Sequence, residues 1–333
     1  MTEKIRVLQF GLGPIGQACV RTLSEKSGIE LVGGVDIDPA KVGKDLGEIA
    51  GLKNQLGIVV RADAQQALQE LKPHVVVHTT SSFLSAVENQ LIMCLRAGAS
   101  VVSSTEELFY PFERDSGFCE RVDAVAREHG VAVVGTGVNP GFAMDVLPLC
   151  LTSMCVRVKK IRVTRVVDAG LRRLPLQKKV GAGISRAEFR ERLAQGRFGH
   201  IGLRESALAI VGTLGWKLDE MSETIKPVVA AKQIKTKFLT VKSGSVAGLH
   251  QKIRCTSAGR EVLTLELKMH VGVKEAYDGV EIDGDPSLSV RIDGGIFGDT
   301  ATIAALVNTI PKIKSAAPGL RTMMELPVPY AFL

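Results

Sequence analysis

Paired cysteines, long apolar runs, internal repeats and blocks of like charge are all missing from this 333-residue chain. Its six cysteines (Cys19, Cys94, Cys119, Cys150, Cys155, Cys255) form no C-x-x-C pair and no metal-ligand spacing. They read as reduced thiols of a cytoplasmic protein, and no metal site is expected. No apolar run is long enough to span a bilayer, so no membrane partner is expected. Met1-Thr2-Glu3-Lys4 leads straight into an expected strand, which predicts no signal peptide. The formal charge of +7 is modest for the length, and Lys159-Lys160 and Arg172-Arg173 are only pairs. That scatter argues against a nucleic-acid partner and for a solvated basic surface that also favours an anionic ligand.

What is present begins at once. Ile5-Arg6-Val7-Leu8-Gln9-Phe10 is a short apolar run of the kind buried in parallel sheets, and Gly11-Leu12-Gly13-Pro14-Ile15-Gly16 follows it. The glycines fit G-x-G-x-x-G opening a helix, expected from Gln17 to Glu25. Gly11 makes the tight turn, Gly13 lets backbone N–H groups approach a pyrophosphate, and Gly16 lets helix and strand pack closely. Pro14, Ile15 and Gly16 open the helix whose N-terminus faces the phosphates. A second strand, Ile29 to Val35, ends on Asp36, placed about 20 residues on, where a ribose 2′-hydroxyl is held. Asp36 repels a 2′-phosphate and favours NAD. Lys41 and Lys44 would attract that phosphate, so NADP stays open.

Further strands are expected at Gly57 to Val60, His74 to Ser82 and Ala99 to Thr105. Helices are expected at Ala64 to Leu71 with Asp63 as N-cap, at Leu84 to Ala97, and at Phe112 to His129. Thr79, Thr80 and Ser81 end a β-branched run whose tip should meet the cofactor, while His78 is either packing or a site residue. Glu106 and Glu107 follow the next strand, either as ligand-facing acids or as helix N-terminal acids complementing the dipole. Val131 to Gly137 reads as the last strand of the first domain, and Val138 to Asp145 as the turn out of it. Beyond it, Lys160 to Val167 alternates as a half-buried antiparallel strand does.

Asp168 to Gly183 reads as a long loop. Helices follow at Ser185 to Gln195 and Leu203 to Leu214, then strands from Ile225 to Ile292, and a helix from Thr300 to Ile310 that stops before Pro311. The expected class is α/β: a Rossmann dinucleotide-binding domain (1–145), then an α+β domain with a mostly antiparallel sheet (146–298), then a helix and tail (299–333) returning to the first.

The chain resembles the 2,4-diaminopentanoate dehydrogenases and native amine dehydrogenases, which share the architecture of dihydrodipicolinate reductase. The resemblance rests on Ser104-Thr105-Glu106-Glu107-Leu108, Asn139-Pro140-Gly141-Phe142 and Val167-Asp168-Ala169 running through Arg172-Arg173 to Gly183. It extends over Gly199-His200-Ile201-Gly202 to Ser206 and Gly298-Asp299-Thr300-Ala301-Thr302 to Leu320. It implies oxidative deamination of a primary amine with NAD or NADP, or the reverse amination of a carbonyl by ammonia.

It also implies one glutamate acid/base at Glu106 or Glu107. Glu106 is favoured here, with Glu107 in reserve. Phe142, Asn139 and His200 are weaker pocket candidates. Arg172 would hold a substrate carboxylate bidentately if it faces the pocket, and is otherwise a solvated loop cation or a contact to a neighbouring subunit. A homodimer is expected from the resemblance and from the strand-rich second domain. The weighed alternatives are a 2,4-diaminopentanoate dehydrogenase proper with an amino-acid-like substrate, an imine reductase of the dihydrodipicolinate type, which the absence of a His/Lys-rich stretch disfavours, and a non-catalytic NAD(P) sensor.

Overall fold

Strand β1 (Ile5–Phe10) has its last four residues buried, as a parallel strand covered on both faces requires. The computed structural model describes residues 3–196 and 198–332. After β1 come α1 (Pro14–Ser24), β2 (Ile29–Val35), α2 (Leu46–Ala50), β3 (Val60–Arg61) and α3 (Ala64–Leu71). Next are β4 (Val75–His78), α4 (Leu84–Arg96), β5 (Ser100–Ser103), a 3-10 turn (Glu106–Phe109), α5 (Ser116–Glu128) and β6 (Ala132–Gly135). Asp63 caps α3 as expected, accepting from the Gln66 N–H. The strand expected at 57–60 shrinks to Val60–Arg61. Gly57 turns away at φ +70°, and the Asp45 carboxylate takes the Leu56 and Gly57 N–H groups out of any ladder.

A second compact unit covers Ala143–Ile296. It runs through α6 (Val146–Thr152), β7 (Arg157–Asp168), α7 (Leu174–Lys179), α8 (Arg186–Ala194) and α9 (Leu203–Thr213). It continues through β8 (Glu220–Val229), β9 (Ile234–Lys235), β10 (Thr240–Val241), β11 (Val246–Ser257), β12 (Arg260–His270), β13 (Tyr277–Asp285) and β14 (Leu288–Asp293). Six strands form one sheet in the order β14-β13-β7-β12-β11-β8, parallel only between β7 and β12. One face buries Ile161, Val163, Leu263, Leu265, Leu249 and Ile253 beneath α6 and α9. The other carries Lys160, Arg162, Lys252 and Arg254. The stretch expected as one long loop, 168–183, contains a 3-10 turn (Ala169–Leu171) and α7, with Pro175 in the helix's first turn where its missing N–H costs nothing.

The chain from Phe297 onward rejoins the first unit. Helix α10 (Gly298–Lys314) passes through Pro311 instead of ending before it. The fully buried Ile310 and Ile313 hold its final turn against the sheet and offset the lost N–H bond. Strand β15 (Gly319–Arg321) then pairs in parallel with β6, so β6 is not the last strand of this sheet. The seven-stranded order is β15-β6-β5-β4-β1-β2-β3. Helices α3, α4 and α5 pack on one face around Leu68, Val87, Leu91 and Phe118, and α1 and α10 lie together on the other. Strand order reverses between β1 and β4, which opens a crevice at their carboxyl ends.

Candidate active site

The glycine turn after β1 has a geometry that fits a diphosphate. Gly11 has φ +88°, and a Cβ there would lie 2.9 Å from the Thr79 carbonyl oxygen. A Cβ on Gly16 would lie 1.9 Å from the Gly11 carbonyl oxygen, whereas one on Gly13 would meet nothing within 4 Å. Two glycines are thus required by packing and the third faces open space. Gly13 is the N-cap of α1, Pro14 follows it, and no side chain caps the helix. Its first N–H groups are therefore left for an anion. Asp36 stands just beyond β2 with Oδ2 accepting from the Leu12 N–H at 2.7 Å and Oδ1 from the Asp38 N–H at 2.9 Å. Burial would raise this carboxyl, but those two N–H groups and Lys41 outweigh it and hold it below the usual range. These residues fit a dinucleotide.

Sequence reasoning missed Gln9, although a buried amide inside an apolar strand was the available signal. Its Nε2 donates to the Gly11 carbonyl and to Thr79 Oγ1, both at 2.9 Å, and Thr79 Oγ1 donates to the Gly11 carbonyl at 2.9 Å. Thr80 Oγ1 donates to Gln90 at 2.7 Å. Ser81 Oγ accepts from the Phe83 N–H, and the Ser81 carbonyl from Thr105 Oγ1 at 2.9 Å. Through these bonds the three hydroxyl residues shape the β4 tip. His78 is fully buried, with Nδ1 at 2.9 Å from Ser103 Oγ and Nε2 at 2.8 Å from Gln90 Oε1. Burial lowers its pKa to about 4, against the raising effect of Gln90, so it is a neutral packing group near pH 7.

The two adjacent glutamates have different surroundings. Glu107 is 8% exposed. Its Oε2 accepts from the Leu84 N–H at 2.9 Å, serving the N-terminus of α4, whose own N-cap, Phe83, offers no side-chain bond. Its Oε1 lies 3.0 Å from Arg114. Glu106 is half-buried, and its Oε2 is shielded from solvent with no hydrogen-bond partner. Gly135 seats the turn that carries both: a Cβ there would come within 2.6–2.8 Å of the Leu108–Phe109 backbone. Neither Gly135 nor Arg114 carried a signal in the sequence.

Asn139 is buried and precedes a cis bond to Pro140, and Phe142 is 41% exposed at the end of the first unit. In the second unit His200 is tied by its backbone to Gln251, donating at 2.7 Å to Oε1 and accepting at 3.2 Å from Nε2. Arg172 is half-buried in the link between the 3-10 turn and α7. Arg165 and Asp278, both 3% exposed, pair at 2.7 Å and together hold the Ile296 backbone. Buried thiols are inert: Cys19 and Cys94 are pushed up to about 12 by burial. Among the described residues no three His, Cys, Asp or Glu side chains are grouped to hold a metal ion, and no helix is long and apolar enough to cross a membrane.

Comparison with known proteins adds the chemistry. The pattern of the 2,4-diaminopentanoate dehydrogenase C-terminal domain matches residues 142–333, and that of the dihydrodipicolinate reductase N-terminus matches residues 5–108. The 2,4-diaminopentanoate dehydrogenase of Acetoanaerobium sticklandii is 32% identical over 99% of this chain and 96% of its own. The amine dehydrogenase of Streptomyces virginiae is 23% identical over 97% and 96%. The structure of the amine dehydrogenase from Mycobacterium smegmatis superposes with a TM-score of 0.87 at 26% identity, covering 99% of this chain and 98% of that one.

Proposed function

Because this chain belongs to the 2,4-diaminopentanoate dehydrogenase family, we propose that it is an NAD(P)-dependent amine dehydrogenase. It oxidatively deaminates a primary amine or, in reverse, aminates a ketone or aldehyde with ammonia. The Gly11–Gly16 turn, the N-terminus of α1 and Asp36 would hold the dinucleotide. When bound, its nicotinamide ring supplies the hydride acceptor.

One observation carries the assignment of the acid/base: Glu106 keeps a shielded carboxylate oxygen without a partner, while both oxygens of Glu107 are engaged. A buried acceptor left unsatisfied is costly, and an ammonium or iminium N–H would satisfy it. Glu106 takes a proton from the substrate ammonium, freeing the nitrogen lone pair that expels the hydride from the adjacent carbon. Hydride departure leaves C=N⁺ beside a protonated Glu106, which passes its proton to solvent. The carboxylate so regenerated stabilises the C=N⁺ and removes a proton from the attacking water. The C–N bond of the carbinolamine breaks after protonation of nitrogen, releasing ammonia and the carbonyl. Each turnover consumes one amine, one water and one oxidised cofactor, and yields carbonyl, ammonia, reduced cofactor and one proton.

Phe142 and Asn139 would bound the substrate's carbon chain. The protein is further proposed to be a homodimer, with the charged open face of its six-stranded sheet as the candidate surface. The test of the activity is a panel of amines, with and without a carboxylate, offered to the purified protein with NAD or NADP. The expected result is amine-dependent formation of the reduced cofactor. No turnover with any amine, in either direction, would overturn it.

A further inference from the structure

The loop after β2 places one lysine between two carboxylates, beside the position expected for the adenosine ribose. Lys41 Nζ lies 3.2 Å from Asp36 Oδ2 and 3.2 Å from Asp38 Oδ2. The loop builds this arrangement. The Lys41 and Val42 N–H groups both donate to the Asp38 carbonyl, at 2.9 and 3.1 Å, and the Ala40 N–H donates to Asp38 Oδ1 at 3.0 Å. That tight turn folds Lys41 back onto the strand tip, where its side chain is only 21% exposed and that of Asp36 only 11%.

A carboxylate offers about four acceptor positions, and on Asp36 three are taken by the Leu12 N–H, the Asp38 N–H and Lys41. The one remaining suits a ribose hydroxyl. A 2′-phosphate brought to the same place would meet the Asp36 and Asp38 carboxylates with Lys41 already paired to both, and like charge at contact disfavours it. Lys44, close enough to act on Asp38, is exposed to solvent. Lys41 nevertheless stands within reach of that phosphate, already neutralised by its neighbours.

We propose that Lys41 is a masked 2′-phosphate ligand: Asp36 and Asp38 together occupy it and make the site selective for NAD, and loss of the Asp36 charge turns the same lysine toward NADP. The inference rests on the dinucleotide site proposed above but not on the amine chemistry.

The test titrates purified protein with NADH and with NADPH, following nicotinamide fluorescence. No amine is present, so a protein that turns over no amine can still pass or fail it. Wild type is expected to bind NADH at least about tenfold more tightly than NADPH, the scale of one charge-assisted contact. Asp36→Asn keeps an oxygen for the Leu12 N–H but removes the charge, and NADPH binding should tighten by about tenfold or more. Adding Lys41→Ala to that variant should abolish the gain. Asp38→Asn, which loosens Lys41 without touching the glycine turn, guards against misfolding of the first variant. It should tighten NADPH binding a few-fold, roughly what one partly exposed ion pair contributes. Equal wild-type affinity for the two cofactors, an NADPH gain that survives Lys41→Ala, or an unchanged preference in both Asp36→Asn and Asp38→Asn would each overturn the proposal.

Discussion

The two sheets treat polar side chains in opposite ways. Strands β4, β5 and β6 of the parallel sheet are buried throughout, and the proposed acid/base stands just past the end of β5, where Glu106 keeps an oxygen unpartnered. The mixed sheet carries charge along its strands and pairs it across them. Lys160 and Arg254 share Glu261, Lys268 meets Glu266, and Arg165 meets Asp278. Asp278 also keeps a buried Oδ1 without a partner, but its Oδ2 is committed to Arg165 and the Ile296 N–H. The unpartnered Glu106 oxygen instead lies just past a strand tip, open to an incoming donor.

The largest expected effect separates buried from exposed pairs in the mixed sheet. Arg165→Met leaves Asp278 buried without its counter-ion and should cost roughly 3–5 kcal/mol of stability in urea unfolding. Lys160→Met, which breaks a partly exposed pair, should cost no more than about 1 kcal/mol. Equal losses would erase the distinction.

Next comes His78 in the parallel sheet. Its folded-state pKa of about 4 lies below the ordinary 6.5, so the unfolded chain takes up its proton first as pH falls. The stability contributed by the neutral ring is complete above pH 6.5 and is lost as pH falls from 6.5 toward 4, by about 3 kcal/mol in total. Unfolding curves of wild type and His78→Phe across that window check the sign. A pH dependence identical in both would refute it. Smaller still, Glu107→Gln keeps an acceptor for Leu84 and loses only the charge facing the partly exposed Arg114, so kcat should fall no more than a few-fold.

Local signals made much of the first unit legible in the sequence. The glycine turn, the strand ending on Asp36 and the Asp63 cap all depend on residues close together in the chain. What stayed hidden depends on distant ones. Three residues of β15 carry no periodicity and become a strand only beside β6. Pro311 alone signals a stop, and only the burial of Ile310 and Ile313 shows why the helix passes it. Glu106 and Glu107 are equivalent in sequence. Their difference is made by Leu84, Arg114 and the bare α-carbon of Gly135.

The most direct measurement is steady-state amine oxidation by Glu106→Gln alongside a titration of its affinity for the reduced cofactor. Loss of the proton acceptor should lower kcat by about 10²–10⁴-fold while leaving cofactor affinity at the wild-type value. Turnover at the wild-type rate would contradict the account, because the unpartnered oxygen of Glu106 would then have no part in the chemistry.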